Sequence, residues 1–121
     1  MVSPEKLFMY RESARRRQAE EKHRVHERFV RAWQSAEAGA AMLKSMYDAT
    51  RVVVFGSLVD EPLFHHRSDI DLAVWGIDAD DYLRALADLL SPTSEFSFDL
   101  IAVEEAGPSL LATIERDGVE L

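Results

Sequence analysis

Three aspartates stand where folding alone gives them little reason to be. Asp69 and Asp71 belong to Asp69-Ile70-Asp71-Leu72-Ala73-Val74-Trp75, a run that alternates polar and apolar. Asp99 is set between Phe98 and Leu100 in a second apolar run, Phe96 to Val103. Residues two apart on a strand share a face, so Asp69 and Asp71 project side by side, about 6 to 7 Å apart at the usual rise. Two ionised carboxylates next to an apolar strand repel and are poorly solvated, and a hard divalent cation with oxygen ligands relieves both problems. If the two runs are neighbouring strands, Asp99 joins the pair. Three such carboxylates can hold two Mg²⁺ ions on a triphosphate, one steadying the leaving oxygens and one activating an acceptor hydroxyl, with a carboxylate free to act as base. That is the chemistry of phosphoryl or nucleotidyl transfer. Gly56-Ser57 adds the other half. It ends the apolar run Arg51-Val52-Val53-Val54-Phe55, and a glycine there lets a phosphate approach the main chain while the turn offers N–H and hydroxyl donors. Gly-Ser or Asp-x-Asp alone is what many turns and strand ends carry. Their succession through three apolar runs is far more specific.

The elements that must place these residues can be read around them. Ser3 before Pro4 is a side-chain cap followed by proline at the first helical position, and nothing interrupts helical character until Asp48. The pattern predicts one long helix, or two with a bend. Val25, Phe29, Ala32, Trp33, Ala36, Ala40, Leu43 and Tyr47 recur at steps of three and four and form a core-facing stripe. Arg11 to Arg24 is polar all round except for Ala14 and Ala19, so this stretch is expected to project or to meet a partner. Gly39 inside the stripe permits a kink or a close approach. Strands are expected at residues 51–55, 69–75 and 96–103. A second helix is expected over residues 79–90, with Asp78 as cap, Pro92 beyond its end, and Tyr82, Leu83, Leu86, Leu89 and Leu90 buried. A short helix over 108–116 closes the order. Helix, strand, strand, helix, strand, helix implies an α/β (α+β) fold, a small mixed sheet with helices packed on one face.

The chain of 121 residues fits one domain, with residues 1–50 as a long helical segment and 51–121 as the core that carries the site. No apolar run suggests a membrane span and the first residues do not read as a signal peptide, so a cytoplasmic protein is expected. The absence of cysteine excludes disulfides, thiolate metal sites and a cysteine nucleophile. Charge is uneven. Residues 1–50 hold ten Lys and Arg against seven Asp and Glu, and residues 51–121 four against fifteen, so the net −8 divides into +3 and −11. A half carrying that much negative charge repels phosphate backbones, and general nucleic-acid binding is not expected of it. The loop residues His65 and His66 and the basic run Arg15-Arg16-Arg17 read as solvated surface, the latter compensated by nearby glutamates, whereas Arg67, next to the carboxylates, could neutralise phosphate charge.

The segment RVVVFGSLVDEPLFHHRSDIDLAVWG followed by FSFDLI resembles the nucleotidyltransferase superfamily related to DNA polymerase β. Within it the chain is similar to the minimal nucleotidyltransferases, the MNT proteins. The likeness spans residues 51–121, and the long leading helix also suits the group. It implies that Gly56 and Ser57 are the phosphate-binding pair, that Asp69 and Asp71 are metal ligands, that Asp99 is the third carboxylate, ligand or base, and that Ser68 is the serine that precedes them. It further implies Mg²⁺, two ions, with ATP as the substrate. The expected partner is a HEPN-type toxin to which AMP is transferred, so that the chain acts as an antitoxin, with a homo- or hetero-oligomer possible. Two other functions fit the residues. Asp60 and Glu61 follow Gly56-Ser57 where triphosphate would lie, which suits a weakly active or inactive module that neutralises its partner by contact. Nucleotide addition to RNA is the third, against which the acidic half counts.

Overall fold

The computed structural model describes all residues from Met1 to Leu121. Helix α1, Pro4–Tyr47, is a single continuous helix of 44 residues, about 66 Å long at the usual rise. Both ends follow local chemistry. The Ser3 side chain accepts from the Lys6 amide with Pro4 in the first turn, and Asp48 adopts a left-handed conformation, φ 57°, whose N–H returns to Leu43 O. The helix is not interrupted at Gly39. Instead a Cβ there would press to 2.9 Å from Leu89 Cδ2 and 3.4 Å from Phe98 Cε1, so this glycine lets α1 run close over the rest of the fold.

Strand β1, Arg51–Phe55, follows after three residues. Two short 3₁₀ turns, Gly56–Val59 and Glu61–Leu63, lead toward β2, Ile70–Trp75. A further turn at Ala79–Asp81, capped by Asp78, opens α2, Tyr82–Leu89. Strand β3, Phe98–Ala102, and helix α3, Pro108–Asp117, come next. A two-residue strand β4, Val119–Glu120, ends the order. The sheet runs β3-β2-β1-β4, with β1 antiparallel to β2 and β4 and β2 parallel to β3. Strand β4 is absent from the sequence reading. It has only two residues and exists through pairing with Val53 and Val54, more than sixty positions away in the chain.

The pleat separates two apolar layers. Val52, Val54, Ile70, Leu72, Val74 and Leu100 pack beneath Ala32, Ala36, Ala40, Leu43 and Tyr47 of α1 and Ala85 and Leu89 of α2. The alternate residues Val53, Phe55 and Ala73 face the other way and meet Val103 and Ile114, with Leu111 beside them. Helices α1 and α2 therefore share a face, as expected, but α3 covers the opposite one, which helices on a single face did not include. The reason is that Val53 and Phe55 are as apolar as their neighbours, so the second face also needs a cover. Leu83 and Leu90 are exposed rather than buried, because the α-helix begins at Tyr82 and its inward phase falls on Tyr82, Ala85, Leu86 and Leu89. Val25 is likewise exposed. No helix is long and apolar enough to cross a membrane.

Candidate active site

The carboxylates lie on the face that α3 covers, beyond the reach of that short helix. In register, Asp71 is the partner of Phe55 on one side and of Asp99 on the other. One cross-strand row thus reads Phe55, Asp71, Asp99, with Gly56 and Ser57 directly after the first member. Adjacent strands are about 4.8 Å apart, so Asp71 has a second carboxylate beside it and a turn glycine at its other flank. Asp69, two residues earlier in the same phase, lies just ahead of β2 and is exposed. The structure therefore brings Gly56, Ser57, Asp69, Asp71 and Asp99 to one end of the sheet.

Gly56 is required by geometry. Its φ of +75° is unfavourable for residues with a side chain, and a Cβ built on it would overlap Asp71 Oδ2. The carboxylate occupies the space that the missing side chain leaves. Ser57 is partly exposed in the 3₁₀ turn, and its carbonyl accepts from the Asp60 amide at 3.2 Å. Leu58 is fully buried and pins that turn to the core.

The electrostatics centre on Asp71. Burial, then the charges of Asp99 and Asp69, push its carboxyl up to about 6. Tyr82, whose hydroxyl donates to Leu100 O, is raised by burial and then by Asp99 and Glu105. No cation of the chain balances this group. No three His, Asp or Glu side chains stand close enough together to hold a metal ion among themselves, and carboxylates that repel one another have no reason to close unaided. The donor set nevertheless suits Mg²⁺, which binds through one or two carboxylates plus phosphate oxygens and water rather than a protein cage.

Ser68 plays a different local part. Its hydroxyl accepts from the His65 amide at 3.0 Å and its amide donates to His65 O at 2.9 Å, closing the turn that precedes Asp69. His65 Nδ1 accepts from the Arg67 amide at 3.1 Å. Arg28 of α1, absent from the sequence-derived candidates, donates to His65 O and His66 O at 3.1 and 3.2 Å. Helical periodicity marks the faces of α1 but carries no sign of a contact with residues 37 and 38 positions onward. A cavity of about 270 Å³ lined by Arg24, Val25, Arg28, Phe64, His65 and His66 lies at this turn and does not include the carboxylates.

Comparison with known proteins gives the arrangement its context. The family described as polymerase beta, nucleotidyltransferase, matches residues 40–121, from the last part of α1 through every strand. Among solved structures, a chain in the crystal structure of a toxin-antitoxin MntA-HpeT mutant with two Asp-to-Glu changes is similar. Its TM-score is 0.57 at 19% identity, over 71% of this chain and 70% of that one. At that identity the likeness is one of fold. Among curated proteins none matches the sequence. A family match over more than half the chain, on a sheet with three carboxylates and Gly-Ser at one end, leads to a plain conclusion: the chain belongs to the polymerase β nucleotidyltransferase family.

Proposed function

We propose that this chain is a Mg²⁺-dependent nucleotidyltransferase that transfers AMP from ATP to a protein partner, and that it serves as the antitoxin of a cytoplasmic toxin-antitoxin pair. The observation that carries the reading is the row Phe55, Asp71, Asp99, with the Asp71 carboxylate lying over Gly56. Asp69, Asp71 and Asp99 would hold Mg²⁺, two ions with ATP in place, and the metal supplies charge neutralisation of the triphosphate. Gly56 and Ser57 would meet the phosphates through main-chain N–H groups and the hydroxyl. Ser68 would act by shaping the turn before Asp69. An acceptor hydroxyl oxygen attacks the α-phosphorus, the bond to the bridging oxygen breaks, and pyrophosphate leaves. The proton passes to a carboxylate of the set, for which Asp99 is the candidate, the resemblance giving it as ligand or base.

The partner assignment rests on the resemblance to MNT proteins, on the toxin-antitoxin pair in which a chain of similar fold was solved, and on α1. A HEPN-type helical toxin is the proposed acceptor. Residues 1–121 would act as one unit, with the projecting half of α1 for contact and the rest for chemistry. The experiment is labelling of the neighbouring gene's product with ATP labelled at the α-phosphate. Label is expected to appear with Mg²⁺ and to vanish in Asp69→Asn with Asp71→Asn. Undiminished labelling by that double variant would show that the carboxylates are not the site.

The same α1 supports a second reading, neutralisation by contact without turnover. Its first residues expose Phe8, Met9 and Tyr10 to 63%, 66% and 60%, more apolar surface than a solvated helix needs. Under that reading the aspartate double variant still neutralises the toxin.

A further inference from the structure

We propose that Arg28 is a positioning residue for the transfer site: it fixes the segments that deliver Asp69 and Asp99, although it touches neither. The inference rests on the nucleotidyltransferase reading above. Arg28 lies on α1, and its guanidinium reaches both segments at once. One side of the fork donates to His65 O and the other to His66 O, at 3.1 and 3.2 Å. These carbonyls belong to the turn that Ser68 closes onto the His65 amide, and Asp69 is the next residue. Cζ of the same guanidinium lies over both rings, 4.9 Å from the Phe96 centroid and 5.3 Å from that of Phe64. Phe96 stands three residues before Asp99, and both rings are 4% exposed, so they are fixed parts of the core. One planar cation therefore ties the entry of β2 and the entry of β3 to a single rigid helix.

The chemistry favours arginine over lysine. Two consecutive carbonyls present oxygens that a planar fork meets together, while its delocalised charge lies over two aromatic rings. An ammonium offers a point charge and cannot do both. The turn also needs an external hold. His65, His66 and Arg67 are exposed, and the turn's own bonds join only residues within three positions of one another. Removing the clamp leaves Asp69 on a turn anchored mainly by itself. Orienting groups behind metal ligands of this kind typically change metal affinity about 10- to 100-fold.

The test compares wild type with Arg28→Lys, Arg28→Ala and Arg24→Ala in the full chain. The last removes a nearby charge that is paired within the helix to Glu21. Two measurements are read. Hydrogen exchange at the Ser68 amide, which donates to His65 O, is expected to accelerate in both Arg28 variants while the β1 and β2 amides keep their protection. Binding of the ATP analogue with a methylene between the α and β phosphates is then titrated with Mg²⁺. The Mg²⁺ half-saturation is expected to rise about tenfold in Arg28→Lys, in binding and in AMP transfer, with kcat at saturating Mg²⁺ retained. Arg24→Ala should move neither. A lower Tm in Arg28→Lys with unchanged half-saturation would reduce Arg28 to a folding role and overturn the proposal, as would unchanged exchange at Ser68. If wild type itself binds no analogue with Mg²⁺, the nucleotidyltransferase reading fails and takes this inference with it. Equal binding by wild type and the Arg28 variants sinks the clamp alone.

Discussion

Asp71 shows what a site of this kind costs the fold. Its side chain is half-buried, over a glycine that has made room for it, beside two further carboxylates. Its carboxyl is raised to about 6, chiefly by burial and then by Asp99 and Asp69. The sign of the linkage follows. A carboxyl that titrates higher in the folded chain binds its proton more tightly there, so the folded state is favoured at low pH and loses that advantage as pH rises through 6. Asp71→Asn should therefore stabilise the metal-free protein at pH 8 by on the order of 1 kcal/mol, after allowing for solvent screening. The gain should shrink toward zero near pH 4. Thermal unfolding at the two pH values in the presence of a chelator checks this, and an equal gain at both would refute the electrostatic origin. Asp71 and Gly56 were legible in the sequence because their types clash with their surroundings. Arg28 was not, because nothing beside it in the chain sets it apart from other helical arginines.

Among the elements, α1 divides into two parts with different duties. From Phe29 onward it packs on the sheet, through Ala32, Ala36, Ala40, Leu43 and Tyr47, whose small residues let the helix lie close. Before Arg28 its residues are exposed or nearly so. The ion pairs there are mostly within the helix, Arg15 with Glu12 and Arg24 with Glu21, and such exposed pairs contribute only tenths of a kcal/mol. Removal of residues 1–24 is therefore expected to lower Tm by no more than a few degrees and to leave the proposed ATP binding unchanged. Association with the proposed toxin partner should weaken at least tenfold, as measured by calorimetry on the purified pair. A truncated chain that fails to fold would show that the projecting half is part of the core. The ends of α1 and the whole of β1 were readable because Ser3-Pro4, Asp48 and the apolar run before Gly56 are local signals. The inward phase of α2 was readable only in part. Its preceding 3₁₀ turn shifts where the α-helix starts, and that start decides that Leu83 faces solvent while Ala85 is buried.

For the molecule as a whole, charge and architecture converge on one end of the sheet. Residues 51–121 carry −11, and the three aspartates are gathered where no chain cation balances Asp71. A divalent cation that binds the folded state alone must stabilise it in proportion to its affinity and concentration. Mg²⁺ at about ten times its dissociation constant should add roughly 1.4 kcal/mol, seen as a rise in Tm over an equal ionic strength of NaCl. Asp69→Asn with Asp71→Asn should lose that rise. An equal rise in the double variant would mean that Mg²⁺ acts on the acidic surface at large. The opposite faces of the sheet explain how the site stays open. α1 and α2 seal one layer, whereas α3 covers Val53, Phe55 and Ala73 on the other and leaves the ends of β2 and β3 uncovered.

What the sequence determined by itself was the set of reactive residues and the elements that carry them, because each is marked locally: a carboxylate in an apolar run, a glycine after a strand, a cap before a proline. Only the tertiary structure decided how those elements meet. Strand order and register depend on pairings between distant residues, as in Asp71 with Asp99 and Val53 with Glu120. The side that α3 covers depends on which apolar layer still lacks a partner once α1 and α2 are seated. The hold on the turn before Asp69 depends on an arginine on the far side of the chain. No run of neighbouring residues contains that information, because the forces that settle it act between elements only after each has formed.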